Sequence, residues 1–429
     1  MARTYIAASR GLDAVGINPA NLALPDDGSA TLSILPLGVH IGSNFLNYDL
    51  YSTYFTGVET DSGRVGRYLD ESDKRRILDA FSSEVGDVSM TVGARLIGLS
   101  VELGEIGAFA LTVTDELAGS ASLPKEFVEF SLYGNPPGST YDFSNVNVKA
   151  SWLRAYELSF GTALPKPGFL EWLSGGFGVK LVHGFGYYEI QRFNTTLTTS
   201  ENGTLIGRVD YLSRNAGVDP SDDAVMAYGL FWNPVGSGYG VDLGIGAGIT
   251  KFLSVGIAVT DIGSIEWTKH TEITYTDTTL IIDDPAVVQQ QNAIDEVLKG
   301  KKKSSASFAS SLPTTLRVGL ALEFQHVPAF KNMPGQMLLA LDYNQGMVDA
   351  PGETTNPRIS LGVEYKPWRW LPIRTGVSFG GTDRMNVAFG FGFRLGFFDL
   401  DLASENVNWL FQPNDFAYGS VALGTRFRF

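Results

Sequence analysis

The amino-acid sequence predicts an all-β protein: a transmembrane, antiparallel β-barrel of fourteen strands with short helices in its extracellular loops. Three observations predict this fold. Apolar residues alternate with small or polar residues in segments that recur along the whole chain. These segments are about 10–13 residues long, which suits a tilted membrane-spanning strand better than a strand of a soluble sandwich. Long connections between segments alternate with short ones, as in outer-membrane barrels.

Composition and motifs exclude several classes of protein. The 429 residues include no Cys, so a disulfide scaffold, a thiolate zinc site and a Cys nucleophile are excluded. The net charge of −14 argues against a protein that binds nucleic acid, which would carry a basic face. The four His residues have no metal-ligand spacing, and the Ser, Asp and His residues form no known catalytic motif. We therefore expect no enzyme, no catalytic residue, no metal site and no cofactor.

The sequence also predicts no transmembrane helix, because no stretch approaches ~20 consecutive apolar residues. The first ten residues, Met1–Arg10, lack the apolar core of a signal peptide. Either the protein is not exported, or the chain is a mature form written with Met1 as a start residue.

The alternation is clearest towards the C-terminus. Residues 386–397 place Val, Phe and Leu on one parity and Asn, Ala, Gly and Arg on the other, and residues 240–250 repeat this pattern. A strand points alternate side chains to opposite faces, so each segment has one apolar face. In a soluble sandwich this face would pack on a second sheet, whereas in a barrel it meets lipid. The opposite face combines Gly with isolated charges, which suits a crowded polar lumen and favours the barrel.

Counting back from the C-terminus gives fourteen strands, with boundaries good to a few residues. The expected strands are 31–50, 88–103, 105–117, 146–163, 173–195, 238–250, 253–264, 313–325, 336–346, 357–366, 371–380, 384–397, 398–409 and 416–429. Long polar connections follow the first, third, fifth and seventh strands, and tight turns follow the second, sixth and twelfth. An even number of strands places both termini at the tight-turn, periplasmic end.

Three positions interrupt the alternation. The apolar parity changes near Leu96-Ile97 and near Leu35-Pro36. A β-bulge shifts the parity by one residue and tolerates Pro, so we expect a bulge at both places. Arg154 lies on the apolar parity of its strand. Either its side chain extends to the membrane interface, or the register of that strand differs from the expected one.

Three connections have the pattern of short helices. They are Asp70–Ser82, Asp284–Leu298 and Lys125–Tyr133, of which the first two have acidic N-termini. These helices either cover the surface of the barrel mouth or form the rim of a groove that admits a ligand. Lys125–Tyr133 carries a short apolar cluster, and exposed apolar clusters tend to mark interaction sites. We predict that this cluster contacts a ligand or a partner; its residues are Phe127, Phe130, Leu132 and Tyr133.

Charged side chains on the polar parity are expected to line the lumen. Arg on the lipid face near the membrane midplane costs roughly 2–4 kcal/mol, so several such residues would be prohibitive there. Charges of both signs occur on this parity, which predicts ion pairs between them. The residues expected in the lumen are Arg317, Glu323, Arg358, Glu364, Arg374, Arg394, Arg426 and Arg428.

The C-terminus alternates up to its last residue. Phe427 and Phe429 share the apolar parity, and Arg426 and Arg428 the other. A final strand that ends in Phe resembles the assembly signal of bacterial outer-membrane proteins, which the barrel-assembly machinery recognises.

The N-terminus has a Gly/Ala-rich stretch that leads into Asn18, Pro19 and Ala20. Together with fourteen strands and a terminal Phe, this pattern resembles the FadL/OMPP1 superfamily, and the resemblance covers the whole chain. It is closer to the FadL-like proteins of Bacteroidetes-type bacteria than to the fatty-acid channel itself. The resemblance implies that residues 1–30 form a plug inside the lumen and that residues 31–429 form the barrel.

The same resemblance implies a location in the bacterial outer membrane and two kinds of function. The first is a FadL-like passive channel for hydrophobic or amphipathic small molecules. The alternative is a PorV-like component that binds and shuttles cargo for the type IX secretion system, or a structural subunit of a cell-surface assembly. The expected partners are outer-membrane lipid and lipopolysaccharide, the barrel-assembly machinery, and either a hydrophobic small molecule or secretion-system proteins. An ion-paired plug would favour the alternative, and an apolar tunnel with a mobile plug would favour transport.

Overall fold

The computed structural model describes residues 1–61, 63–217, 233–283, 292, 296–297, 299–304, 307–382, 385–407 and 417–429. Over these residues the chain forms one large antiparallel sheet that closes on itself, because the last strand pairs with the first. The wall of the resulting barrel has fourteen strands, as the sequence predicts. None of the described helices is long and apolar enough to cross a membrane.

Short helices and turns connect long strands. In chain order the strands are β1 (Ala30–Ile34), β2 (Leu37–Ser43), β3 (Val58–Thr60), β4 (Gly63–Val65), β5 (Val85–Glu102), β6 (Ala108–Pro124), β7 (Thr140–Asp142), β8 (Asn147–Ala163), β9 (Trp172–Thr199), β10 (Leu205–Gly217), β11 (Gly236–Gly248), β12 (Leu253–Trp267), β13 (Thr271–Ile282), β14 (Lys301–Ser304), β15 (Phe308–Ser311), β16 (Thr315–Glu323), β17 (Gln336–Gly346), β18 (Arg358–Trp368), β19 (Leu371–Gly380), β20 (Met385–Leu395), β21 (Phe398–Ser404) and β22 (Tyr418–Arg428). The helices are α1 (Tyr48–Tyr54), α2 (Glu71–Asp79) and α3 (Lys125–Tyr133), with 3₁₀ turns at Gly11–Ala14, Pro19–Ala23, Gly104–Ile106, Phe324–His326 and Pro328–Phe330.

The wall strands follow each other around the barrel in chain order. They are β1 with β2, β5, β6, β8, β9, β11, β12, β15 with β16, and β17 to β22. β1 and β2 form a single wall strand that is broken at Leu35-Pro36. The first and last wall strands meet at the lower end of the barrel, where the Ala30 amide donates to the Phe429 carbonyl, at 3.2 Å.

The apolar parity of each wall strand faces outward. Leu243 and Ile245 on β11, for example, are 50% and 57% exposed, while Asp242 between two outward residues is fully buried. This division matches the alternation in the sequence, because side chains on a strand point to opposite faces of the sheet.

Both expected bulges are confirmed. The pairing of β5 with β6 shifts register between Arg95 and Ile97. Leu35 has a φ of +51°, and the chain skips Leu35 and Pro36 in its pairing with β5. A bulge places an extra residue in one strand and shifts its facing by one, which explains the parity changes.

Arg154 keeps the expected parity and lies on the outer face of β8. The β8–β9 pairing shifts register nearby, between Trp152 and Leu153, but the extra residue, Phe185, belongs to β9. The Arg154 guanidinium donates to both carboxylate oxygens of Asp115 on β6, at 2.5 Å and 2.7 Å, and lies 5.2 Å from the centre of the Phe185 ring. The paired carboxylate neutralises the charge, so Arg154 is accommodated on the apolar face.

The connections after the fifth and seventh wall strands are not the polar loops that the sequence predicts. β9 continues beyond the wall, and its C-terminal half pairs with β10, which pairs with β13, which pairs with β14. We call this extension the rim sheet. β13 is rich in Thr, and β10 has Arg and Asp among its apolar residues. Neither strand has the continuous apolar face that marks a lipid-facing strand, so the sequence pattern does not predict them.

Two of the three expected helices are present. α2 lies within Asp70–Ser82, where the Asp70 side chain accepts from the Ser72 and Asp73 amides, and α3 spans Lys125–Tyr133 as predicted. The expected helix Asp284–Leu298 lies outside the described residues, apart from three of its positions. The first expected strand, 31–50, was too long, because Asn47 caps α1 and ends the extended segment.

The inner face of the wall contains a buried lysine surrounded by three carboxylates. Lys180 Nζ on β9 lies 2.6 Å from Asp261, 3.0 Å from Asp242 and 3.6 Å from Glu157. Removing one partner of a buried ion pair leaves an uncompensated charge, which typically costs about 3–5 kcal/mol. We therefore expect Lys180→Met to lower the melting temperature of the barrel strongly, measured by the heat-dependent gel shift of detergent-solubilised protein.

Lys302→Met is the matched control, because Lys302 forms an exposed ion pair with Glu272 at 3.2 Å on the rim sheet. Exposed pairs contribute little to stability, so this variant should melt close to the wild type. Equal shifts for the two variants would show that the buried cluster does not hold the wall together.

Candidate functional site: the lumen

Residues 1–29, here called the N-terminal segment, pack against the inner face of the wall. The Ile6 amide donates to Asp342 on β17 at 3.0 Å. The Asn18 side chain donates to the Ile245 carbonyl on β11 at 3.3 Å. Ile6, Leu12 and Leu22 are almost completely buried. The segment therefore contacts several strands of the wall.

Asn18, Pro19 and Ala20 form the hub of this segment, and all three are buried. Asn18 Oδ1 accepts from the Ala20 amide and caps the turn Pro19–Ala23, in which Pro occupies the first position. Asn18 Nδ2 and Asn21 Nδ2 both donate to the Ile6 carbonyl, at 3.2 Å and 2.9 Å. One asparagine thus satisfies buried backbone groups of the turn, of an earlier part of the segment and of the wall.

Inward-facing glycines of the wall allow the N-terminal segment to pack closely against the strands. Seven wall strands each have a glycine where residues of the segment approach the backbone closely. A Cβ at Gly319, for example, would lie 2.7 Å from Ile6 Cβ, closer than real side chains come. The seven, here called the glycine row, are Gly161, Gly176, Gly244, Gly256, Gly319, Gly362 and Gly376. The sequence places these glycines on the inward parity, but that parity alone does not predict which part of the chain packs on them.

Among the described residues, five ion pairs join the segment to the wall or its turns. Three are Asp13 with Arg426, Arg3 with Glu405, and Arg10 with Glu323 at 3.7 Å. The other two join Arg428 to Asp26 at 2.7 Å and to Asp27 at 3.7 Å. The segment is therefore bound to the wall electrostatically as well as by packing.

The guanidiniums beside two of these carboxyls favour their ionised form and lower their pKa values. Burial alone would raise the pKa of Asp13, but the Arg426 and Arg95 guanidiniums outweigh it and hold that pKa below its ordinary value. Burial likewise opposes ionisation of Glu405, but Arg3 lowers the pKa of Glu405 to about 2. A carboxyl whose pKa is lowered by folding stabilises the folded protein at pH values above its ordinary pKa. This stabilisation is lost as the pH falls through the lowered pKa. Both pairs therefore hold the segment at neutral and mildly acidic pH.

The charges expected in the lumen fall into two groups. Arg374 lies 2.5 Å from both Glu364 and Asp401. Arg394, Arg426 and Arg428 also pair with carboxylates, which include Asp399 and Asp401. Arg317 and Arg358 have no carboxylate within 4 Å among the described residues. The expected ion pairing is thus present for four of these arginines and absent for two.

Four adjoining cavities remain in the lumen. The upper cavity has a volume of about 220 Å³ and the central cavity about 590 Å³. The lower cavity has about 240 Å³ and the side cavity about 310 Å³. The upper and central cavities share Arg3, His40 and Glu116. The central cavity shares Asp13 and Arg426 with both the lower and the side cavities. A chain of spaces therefore follows the lumen from the upper to the lower end.

The side cavity lies at the break between β1 and β2. Its lining includes the inward residues Asp13, Arg95 and Arg426, and also Leu37 and Leu423 of the outward parity. At this level the backbone pairing of the broken strand with β22 is interrupted between Leu32 and Leu37. The cavity therefore extends from the lumen into the wall itself.

The connection between β17 and β18, residues 347–357, crosses the upper end of the lumen. Lys149 Nζ on β8 donates to the Asp349 carboxylate at 2.5 Å and to its carbonyl at 3.2 Å. Gly352, with a φ of +82°, packs beside Ala118 on β6. This connection thus narrows the upper end, where the upper cavity lies beneath it.

The aromatic cluster of α3 packs on β7 and the residue that follows it. The Phe130 ring makes edge-to-face contacts with Tyr141 and Phe143, at 5.5 Å and 5.8 Å between ring centres. Phe127 is 42% exposed. Lys74 of α2 lies 4.7 Å from the centre of the Tyr133 ring. In the part of the chain that the structure describes, Phe127, Phe130, Leu132 and Tyr133 do not line the four cavities.

The C-terminal aromatics lie at the closure of the barrel. The Phe427 ring packs on Phe398, with 5.1 Å between the ring centres, and Phe429 is 68% exposed. The described residues contain no group of His, Asp or Glu that could hold a metal ion.

Solved structures of outer-membrane barrels share this fold. The deltaS2S3 mutant of the monoaromatic hydrocarbon channel TodX matches with a TM-score of 0.52 at 14% identity, covering 99% of this chain and 96% of that one. The toluene transporter TbuX of Ralstonia pickettii has a TM-score of 0.47 at 12% identity, covering 98% and 94%. A FadL homologue of Pseudomonas aeruginosa has a TM-score of 0.43 at 12% identity, covering 97% and 94%.

At these identities the likeness concerns the fold alone. A family model matches residues 19–405, and the chain belongs to this family, the family of unknown function DUF5723. The comparison with curated proteins gave no match.

A larger residue in the glycine row should displace the N-terminal segment. Gly319→Leu would place its side chain against Ile6 and Ala7 and force the segment from the wall. Because the chain has no cysteine, a Ser9→Cys reporter can be labelled without background, and Ser9 is almost completely buried. We expect maleimide to label Cys at position 9 slowly in the otherwise wild-type protein and much faster with Gly319→Leu.

Gly186→Leu is the control, because a Cβ at Gly186 meets nothing within 4 Å. Labelling should stay slow in this variant. Slow labelling in Gly319→Leu, with an intact barrel, would show that the glycine row does not determine where the segment lies.

Proposed function

We propose that this protein is a passive channel of the bacterial outer membrane that conducts amphipathic small molecules. In this proposal residues 1–30 act as a plug, and the ligand leaves the lumen sideways through the break between β1 and β2. The observation that carries the proposal is the series of adjoining cavities, one of which extends into the wall.

The break supports lateral release because of what a membrane demands of a β-barrel. Lipid offers no hydrogen-bond partners, so barrels pair their strands all around the wall. Here the ladder to β22 is interrupted, and side chains replace part of it: the Ser33 hydroxyl donates to the Thr425 carbonyl at 2.7 Å. In the proposed channel, a gap of this kind at the side cavity would give the hydrocarbon tail of a ligand direct access to lipid.

The lining of the central cavity supports an amphipathic ligand. Ile17, Val39 and Ala388 contribute apolar surface, while Arg95 and Arg374 contribute charge. A purely apolar ligand would remove water from these guanidiniums without replacing its hydrogen bonds, which is unfavourable. A ligand with a polar head and an apolar tail satisfies both parts of the cavity.

The proposed channel has the partners that the sequence predicts for an outer-membrane barrel. Lipid and lipopolysaccharide would surround the apolar outer face, and the barrel-assembly machinery would recognise the strand that ends at Phe427 and Phe429. In the proposed channel α3 captures the ligand at the mouth through Phe127, Phe130, Leu132 and Tyr133. The partial exposure of Phe127 supports this role.

Blocking the side cavity should stop transport without unfolding the barrel. Gly38 lines both the central and the side cavities, and a Cβ there meets nothing within 4 Å. We expect Gly38→Phe to remove most of the uptake of radiolabelled decanoate by a Gram-negative host that lacks its own fatty-acid channel. Gly38→Ala, which leaves the cavity open, should transport decanoate like the wild type. Normal uptake with Gly38→Phe would contradict lateral release.

Shortening the aromatic side chains of α3 should reduce capture. The Phe127→Ser/Phe130→Ser double variant removes apolar contact area but leaves the wall strands untouched, so decanoate uptake should fall at low concentration while the barrel assembles normally. Phe169→Ser is the control, because Phe169 is an exposed aromatic in the turn between β8 and β9, at the opposite end of the barrel. If the double variant fails to assemble, or transports normally, α3 is a structural cover.

The second candidate is a PorV-like partner of the type IX secretion system or a structural subunit of a surface assembly. The five ion pairs that hold the N-terminal segment among the described residues favour it, because a fixed plug does not need to move for protein binding. The rim sheet would offer surface for a partner. The Gly38→Phe variant distinguishes the two candidate functions. Loss of decanoate uptake in this variant supports the channel, because partner binding at the rim sheet does not use the side cavity.

A further inference from the structure

The connection 347–357 reaches across the lumen from one side of the wall to the other. It joins β17 and β18, the ninth and tenth wall strands, yet its middle part contacts β6 and β8, the third and fourth. Lys149 on β8 binds Asp349, and a Cβ at Gly352 would lie 2.8 Å from the Ala118 Cβ on β6. The connection therefore touches strands that are distant from its own strands along the wall.

The middle of the connection is a tight turn. The Glu353 amide donates to the Ala350 carbonyl at 3.1 Å, with Pro351 and Gly352 between them. Gly352 has a φ of +82°, and Pro followed by Gly with a positive φ is the pattern of a type II turn. Pro fixes its own backbone, and Gly adopts the left-handed conformation without strain. The turn is therefore stiff, and we expect it to move as one piece.

Both ends of the connection are anchored to the strands beside them. The Met347 amide donates to the Thr314 carbonyl, at 2.8 Å, just before β16. The Gly381 amide, just after β19, donates to the Pro357 carbonyl at 3.1 Å. These backbone bonds fix the base of the connection on the side of the wall where it begins and ends.

One ion pair holds the turn on the far side of the lumen. Lys149 Nζ donates to the Asp349 carboxylate at 2.5 Å and to its carbonyl at 3.2 Å. The contact between Gly352 and the Ala118 methyl group adds packing. The Asp349 side chain is 63% exposed, and ion pairs that water can reach contribute little stability. The far end of the connection can therefore detach at a modest cost in free energy, while its base stays fixed.

The connection forms the roof of the upper cavity. Gly352, Glu353, Thr354 and Asn356 line this cavity, whose volume is about 220 Å³. The upper cavity adjoins the central cavity, as described above. A ligand from outside therefore meets the connection before it reaches the rest of the lumen.

We propose that residues 347–357 form a lid, which closes the extracellular end of the lumen and is latched by the ion pair between Lys149 and Asp349. In the closed position the turn lies on β6 and β8. When the ion pair breaks, the lid swings about its anchored base beside β16 and β19 and opens the upper cavity to the outside. This lid rests on the proposed channel function and gives it a regulated entrance.

The accessibility of the upper cavity tests the latch without a transport measurement. The chain has no Cys, and Ser89 on β5 lines the upper cavity, so Ser89→Cys can report opening of the lid in the full chain in nanodiscs. Asp349→Lys replaces an attraction by a repulsion, so a bulky, water-soluble maleimide should label this reporter about fivefold faster or more. The charge swap Lys149→Asp/Asp349→Lys should make labelling slow again.

Asp277→Lys is the matched control, because it makes the same change of charge at an exposed position of the rim sheet. In the Ser89→Cys background it should label as slowly as the reporter alone. Equal labelling rates for Asp349→Lys and this control, in assembled barrels, would overturn the latch.

A disulfide between the lid and β6 tests whether the lid controls entry. The Cβ atoms of Ala118→Cys/Gly352→Cys would lie 2.8 Å apart, so a small shift brings them to the roughly 3.8 Å that a disulfide needs. We expect the oxidised double variant to lose most of its decanoate uptake and a reductant to restore it. Each single Cys variant controls for strain at its position and should give the same uptake with and without reductant.

The two measurements separate the lid from the channel. Normal decanoate uptake by a double variant whose disulfide has formed completely would overturn the lid as the entrance to the lumen. Absence of decanoate uptake by the wild-type protein would disprove the proposed channel. In that case, labelling of the Ser89→Cys reporter would still decide whether the connection is a latched lid.

Discussion

The close contact between the N-terminal segment and the glycine row is the constraint on which the rest of the lumen depends. A barrel of about eight strands is filled by its own side chains, whereas a wider barrel leaves a channel. A barrel of fourteen strands encloses a lumen that its wall side chains do not fill, and in this protein the N-terminal segment occupies part of that lumen. The segment can reach the backbone of the wall only where side chains are missing, and the row supplies seven such positions. Asn18 then satisfies the buried backbone groups that this close approach creates.

The one-sided position of the segment explains the distribution of charge. The glycine row belongs to β8, β9, β11, β12, β16, β18 and β19, so open space remains beside β2, β5, β6 and β20 to β22. Charged side chains that face lipid destabilise the protein. In this open part of the lumen they instead lie close to side chains of opposite charge. Asp401 alone contacts Arg374, Arg394 and Arg426, which ties the four neighbouring strands β19 to β22 together on the inner face of the wall.

Much of the wall could be predicted from sequence because lipid contact imposes a local, two-residue pattern. The strands, the bulges at Leu35-Pro36 and Arg95–Ile97, and the helix α3 all follow from such local signals. The rim sheet does not contact lipid in this way, so β10 and β13 carry no apolar stripe and were expected to be loops. The difference between Arg317 and Arg374 could not be predicted either, since both lie on the inward parity. Only the register between strands determines that Arg374 meets Glu364, while Arg317 meets Asn344.

The broken wall strand and the packing of the N-terminal segment use different parts of the wall. The side cavity joins the inward residues Asp13, Arg95 and Arg426 to Leu37 and Leu423, which have the outward parity. The segment packs on the strands of the glycine row and is held by ion pairs such as Asp13 with Arg426 and Asp26 with Arg428. Because the break lies away from the glycine row, a ligand in the proposed channel would reach it without movement of the ion-paired segment.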